Sequence, residues 1–177
     1  MIDGERTIIE NAIKGEASAF GLLYDHYQPK IYRFVIIRVG QREEAEDLTH
    51  QVFLSAWQNI RDYEDIGFPF SSWLYRIARN AIIDYYRTKK NPAPLEAADA
   101  EQYAPDTLAE RTDQAIELQK VRRAIQELSP LHQDIVIMRF VEELSLREIA
   151  AALGKSEGAV KLLQHRAIKQ LKNLLAA

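Results

Sequence analysis

The sequence of 177 residues contains no cysteine. That excludes a disulfide framework, a cysteine nucleophile and any thiolate-ligated zinc or iron–sulfur centre. Glycine and proline are sparse, at seven and six residues, and no Asn-Gly or Asp-Gly turn separates two alternating runs, so strands are not expected. No apolar run approaches the roughly 20 residues that a membrane-spanning helix needs; the longest resemble Phe34-Val35-Ile36-Ile37. The opening Met1-Ile2-Asp3-Gly4-Glu5 has no basic segment followed by an apolar one. No secretory signal is therefore expected, and the expected compartment is the cytoplasm. No P-loop, dinucleotide-binding glycine cluster or nucleophile-elbow motif occurs either. What remains is 47% hydrophobic and 28% charged, the composition of a globular chain.

The net charge of −3 is unevenly spread. Residues 1–91 are close to neutral, residues 92–113 carry a net −5 and residues 114–177 a net +3. Within these, Arg76–Lys90 and Lys155–Ala177 each hold five bases against one acid. Two basic stretches separated by an acidic one fit two surfaces for a polyanion. Two helices with solvated faces would show the same charges.

The acidic stretch begins Asn91-Pro92-Ala93-Pro94 and has little apolar periodicity, and proline disfavours helix at its own position and the one before. It reads as a linker between a first domain at 1–91 and a second at 114–177. Elsewhere the periodicity is helical. Ala45, Leu48, Val52, Ala56, Trp57 and Ile60 recur at steps of three and four, as do Leu74, Ile77, Ala78, Ala81, Ile82 and Tyr85. Glu16–His26 and Lys30–Val39 read as two helices broken near Pro29. The expected fold is all-α: two small helical domains joined by an acidic linker 92–113, the C-terminal one a helix-turn-helix.

That motif lies between Leu128 and Leu174. Ser129-Pro130 has the form of a helix start. Ser145-Leu146-Arg147-Glu148 is a capping box, flanked by Leu144 and Ile149 as a staple, and Gly154 supplies a left-handed stop. Ser156 then caps a further helix. Ile149, Ala150, Leu153, Val160 and Leu163 match the apolar positions of a helix-turn-helix, whose second helix enters the DNA major groove. On that helix Val160, Leu163, Ala167, Leu171 and Leu174 are expected inside. Ser156, Glu157, Lys161, Leu162, Gln164, His165, Arg166 and Lys169 are left for the outside, where they can reach bases or phosphates, Leu162 meeting a thymine methyl. A helical protein-interaction module would carry the same apolar pattern.

Asp47-x-x-His50 has the spacing of a carboxylate–histidine metal half-site. A helical di-metal site needs that motif twice with further carboxylates, and His26, His132 and His165 offer no second copy. An enzyme is therefore not expected, and no cofactor or metal is called for.

The segment Ala45-Glu46-Asp47-Leu48-Thr49-His50-Gln51-Val52-Phe53-Leu54-Ser55-Ala56-Trp57 resembles region 2.2 of bacterial RNA polymerase sigma factors. Phe70-Ser71-Ser72-Trp73-Leu74-Tyr75-Arg76-Ile77-Ala78-Arg79-Asn80-Ala81-Ile82-Ile83-Asp84-Tyr85-Tyr86-Arg87 resembles regions 2.3 and 2.4. Both precede a terminal helix-turn-helix, and the chain from about Ala19 to Leu174 resembles the extracytoplasmic-function (ECF) class of the sigma-70 family.

The resemblance implies a factor that binds core RNA polymerase and directs transcription initiation at chosen promoters. It implies contact with the β′ clamp through Asp47, Gln51, Phe53 and Leu54, and with the β flap through the second domain. It implies that Phe68, Phe70, Arg76, Arg79, Asn80 and Arg87 meet the single-stranded minus-ten element, with the loop Asp62–Pro69 and Asn80 forming a base pocket and Lys89 and Lys90 holding phosphates. Ser156, Glu157, Lys161, Leu162, His165, Arg166 and Lys169 would meet the minus-thirty-five duplex. An anti-sigma factor is the implied regulator, and no direct membrane insertion is implied. Family members often have Gln-Glu where His50-Gln51 stands, Ser-Arg where Leu162-Leu163 stands and Arg at Ile168. The last two departures bear on the minus-thirty-five preference, not on the mode of binding. The alternative is a helix-turn-helix regulator that acts without being a polymerase subunit.

Overall fold

The computed structural model describes residues 2–89 and 113–177. The expected linker at 92–113, Asp113 apart, and Lys90 lie outside the described residues. The chain divides into two compact units, with the boundary between Ala97 and Ala98. Among the described residues every regular element is helical.

The first unit contains α1 (Glu5–Ile13), α2 (Ala17–Val39), α3 (Arg42–Asn59), a 3₁₀ turn at Ile60–Asp62 and α4 (Phe70–Lys89). Aromatic pairs show how they run. Phe20 meets Trp57 and Tyr24 meets Phe53, with ring centroids 5.0 and 4.9 Å apart, which sets α3 antiparallel to α2. Tyr27 meets Phe70 and Phe34 meets Tyr75, so α4 runs in the same direction as α2. The stripe read from the sequence is the core face of α3: Ala45, Leu48, Val52 and Ala56 are buried. Leu23, Ile31 and Phe34 of α2 and Leu74 and Ile82 of α4 are buried as well, and the three helices pack on one another. Burying each large side chain contributes roughly 1.5–3 kcal/mol.

Pro29 does not break the chain into two helices. It sits inside one 23-residue helix, α2. Its ring removes one backbone hydrogen bond and costs about 3 kcal/mol in a helix interior. Leu23 and Tyr27 before it and Ile31 and Phe34 after it are all buried on the same body of α3 and α4, and that packing offsets the local penalty. Pro29 itself faces solvent. The far end of α2 is closed by Gly40 at φ 77°, and the Tyr86 hydroxyl of α4 donates to the carbonyl of Arg38, one of the last-turn acceptors that a helix leaves without an internal partner. The Arg38 guanidinium lies over the same Tyr86 ring.

The second unit contains α5 (Asp113–Gln126), α6 (Pro130–Val136), a π-helical turn at Ile137–Val141, α7 (Leu146–Leu153) and α8 (Glu157–Ala176). Each cap read from the sequence is present. Ser129 accepts from the His132 amide with Pro130 at the first position, Ser145 and Glu148 form a reciprocal box, Gly154 closes α7 at φ 63° and Ser156 accepts from Ala159. Leu144 and Ile149, the staple pair, are both buried. Val160 and Ala167 bury α8 against the other helices, with Leu163, Leu171 and Leu174 half-buried along the same stripe. The buried Gln133 amide donates to the carbonyls of Gln126 and Leu128, which closes the corner between α5 and α6.

The π-helical turn was not legible beforehand. Glu142 donates to Ile137 and Leu144 to Met138 across the wide turn, and Glu143 is held at φ 56°, the single non-glycine residue at positive φ among the described residues. Arg139 secures the exit by donating to the Leu144 carbonyl at 2.8 Å.

Candidate nucleic-acid interface

The loop from Asp62 to Pro69 is tied to α4 through its own Tyr63, which joins Phe70 and Trp73 in an aromatic floor. Tyr63 stands edge-on to Phe70 with centroids 5.3 Å apart and meets Trp73 at 5.2 Å, and Phe70 meets Trp73 at 5.4 Å. Such pairs contribute about 0.5–1.5 kcal/mol each beyond the area they bury. Burial, with Asp65 and Glu5 adding to it, pushes the Tyr63 hydroxyl up to about 12. Above this floor Ile66 is 70% exposed, an apolar group at the loop tip facing water. Asp65 accepts from the Gly67 amide, and Gly67 takes φ 83°, a left-handed conformation that suits glycine.

Helix α4 continues from this floor. Arg76, Asn80 and Arg87 are exposed, on the side away from buried Leu74, Ala78 and Ile82, while Arg79 is half-buried. Arg87 bonds Asp84 at 2.9 Å, an exposed pair of small energetic consequence. Lys89 reaches Glu44 of α3 at 3.6 Å. Asn80 lines an open groove of about 680 Å³ between α3 and α4, with Gln51, Ser55, Ile77 and Asp84. It stands two helical turns beyond Trp73, on the same face of α4.

Two of the residues expected at contacts are buried in this structure. Phe70 is 1% exposed, with its ring against Tyr27, Tyr63 and Trp73. Phe53 is 4% exposed, its ring against Tyr24. Phe68 is half-buried, as is Trp73.

On α3, Asp47, Gln51 and Leu54 are exposed, Leu54 at 57%. Leu54 and Gln51 border an apolar groove of about 470 Å³ shared with Phe20, Tyr24, His50 and Trp57, with the edge of Phe53 at its base. Asp47 and His50 belong to no cluster of three or more metal-ligating side chains among the described residues.

In the second unit, Glu157, Lys161, Leu162, His165, Arg166 and Lys169 are exposed on the first four turns of α8, with Leu162 at 50%. Ser156 is committed to its cap. Gln164 is half-buried, its Oε1 without a hydrogen-bond partner, so it belongs to the inner side rather than to the outward set. Phe140, in the π-helical turn, is 55% exposed. No helix among the described residues is long and apolar enough to cross a membrane.

Comparisons with known proteins bear on both units. Residues 23–91 match Sigma-70 region 2 and residues 124–173 match Sigma-70, region 4. The chain is 39% identical over 174 residues to the ECF RNA polymerase sigma factor BldN of Streptomyces coelicolor, covering 95% of this chain but spanning 64% of that relative. It is 33% identical to the ECF RNA polymerase sigma factor SigW of Bacillus subtilis, covering 94% of each. Among solved structures, CnrH in complex with the cytosolic domain of CnrY matches with a TM-score of 0.75 at 24% identity over 97% of each chain. The sigma factor RpoE in complex with the anti-sigma factor NepR from Bartonella quintana matches with a TM-score of 0.70 at 23% identity, over 89% of this chain and 97% of that one.

Proposed function

The chain belongs to the ECF class of sigma-70 RNA polymerase sigma factors, and on that premise we propose that its two units divide promoter recognition between them. The first unit binds core polymerase through the exposed face of α3 and captures the minus-ten element as single strand, the Asp62–Pro69 loop and Asn80 holding an unstacked base. Opening a duplex costs stacking, and holding an unstacked base against a pocket or an aromatic surface offsets that cost. The second unit lays α8 in the major groove of the minus-thirty-five duplex, with Lys161, Arg166 and Lys169 on bases or phosphates.

The observation that carries this reading is α4. A single rigid helix begins in the floor of the loop and then presents Arg76, Asn80 and Arg87 outward, so base capture and phosphate binding follow one track. The protein performs no chemistry of its own in this reading; nucleotide addition belongs to the polymerase. It acts in the cytoplasm, where the polymerase is. An anti-sigma factor regulates it by covering the same surfaces. The exposed Leu54 and the apolar groove beside it are the kind of surface such a partner, or the polymerase clamp, would bury.

The test is selection of promoters from a genomic fragment library by core polymerase with and without this protein, followed by run-off transcription on the fragments recovered. Transcripts that start at a shared two-element sequence only when the protein is present support the reading. The absence of core binding, with tight duplex binding by the second unit alone, supports an independent helix-turn-helix regulator instead.

A further inference from the structure

Glu5 opens α1 and is 8% exposed. Removing a carboxylate from water is costly unless hydrogen bonds and favourable charge replace the solvent. One such hydrogen bond comes from the Tyr27 hydroxyl of α2, which donates to Glu5 Oε1, and the place of Glu5 in the first turn of α1 favours an anion. Tyr27 is 3% exposed and its ring leans on Phe70, 5.8 Å between centroids. Phe70 in turn supports Tyr63 and Trp73. Helix α1 also packs on the 3₁₀ turn at Ile60–Asp62 from which the loop departs. An apolar side chain at position 5 would fill the same space, so packing alone does not call for an acid there. What an acid there adds is an acceptor that holds the Tyr27 hydroxyl, and with it the ring against Phe70.

We infer that Glu5 is a positioning residue for capture of the minus-ten strand: through Tyr27 and Phe70 it fixes the aromatic floor on which the Asp62–Pro69 loop rests. The inference rests on the base-binding role of that loop proposed above.

Full-length Glu5→Ala, Tyr27→Phe, Glu5→Gln and, as a probe of the loop itself, Phe68→Ala are each assembled with core polymerase. Opening is followed on a promoter fragment from the selection, carrying 2-aminopurine in its minus-ten element. Trp73 emission is read in the free protein on a Trp57→Phe background. Glu5→Ala and Tyr27→Phe slow opening roughly three- to tenfold, the effect of one lost buried hydrogen bond, shift Trp73 emission to the red and leave competition for core polymerase unchanged. Glu5→Gln, whose amide oxygen still accepts from Tyr27, recovers most of the rate. Wild-type opening by Glu5→Ala and Tyr27→Phe while Phe68→Ala is slow overturns the inference alone. Wild-type opening by Phe68→Ala as well overturns the base-binding reading with it. Parallel loss of opening and core binding, without rescue by Gln, reduces Glu5 to a fold-stabilising residue and also overturns the inference.

Discussion

Gln51 of α3 and Asn80 of α4 line opposite walls of one groove. The first belongs to the face proposed for polymerase and the second to the face proposed for DNA. Only a helix pair separates the two contacts, so substitutions on either wall can be assigned by which binding event they change.

Asn80→Ala is expected to lower open-complex formation while leaving core binding intact. Loss of one good base-edge contact costs about 1–3 kcal/mol, roughly tenfold or more in the equilibrium. Competition for core polymerase and fluorescence-detected opening, measured side by side, check it; equal loss in both contradicts the assignment.

Leu54→Asp is expected to do the reverse. Leu54 is exposed, so the substitution should change stability by no more than about 0.5 kcal/mol. A charge placed in an apolar contact should weaken core binding by about tenfold or more. A thermal scan and a core-competition assay separate the two effects.

Arg166→Ala is expected to weaken duplex binding across sequences and to reduce the slope of log affinity against log salt by about one. Titrations at several salt concentrations check this. An unchanged slope means that Arg166 holds no phosphate.

Glu143→Gly is expected to stabilise the second unit. The left-handed conformation costs a non-glycine residue about 1–2 kcal/mol, and the greater freedom of glycine in the unfolded chain returns about 0.5–1 kcal/mol of that. A net gain of about 0.5–1 kcal/mol should appear as a later unfolding transition, with DNA binding unchanged.

Tyr63 predicts a specific alkaline sensitivity. Its folded-state pKa is pushed from 10.0 to about 12, chiefly by burial. The folded state therefore keeps the proton that the unfolded chain releases first. The stability contribution is full below pH 10.0 and is lost as pH rises to about 12. Stability across that window should decline more steeply in the wild type than in Tyr63→Phe, and parallel curves contradict the assignment.

What could be read in advance was local. Ser129, Ser145 with Glu148, Gly154 and Ser156 satisfy or terminate the backbone within three or four residues, so spacing alone reveals them. Pro29 shows the converse: the break signal is local, but what overrides it is burial against two other helices, which no window of sequence contains. Helix α1 was missed because its nine residues bury little beyond Ile9 and Ala12, and its acid is held by a partner 22 residues away. The burial of Phe53 and Phe70 was not legible, because a motif carries buried and exposed positions together. The outward residues of α8 were legible since the apolar stripe fixes the opposite face.

The hydrogen bond from Tyr86 to the last turn of α2 now acquires a mechanical meaning. Joined to α2 by Tyr27 and Phe70 near its start and by Tyr86 near its end, α4 is a strut bolted at both extremities rather than a lever on a hinge. If α4 holds the minus-ten strand as proposed, torque arising as the strands part passes into the body of the unit instead of being dissipated by bending of that helix.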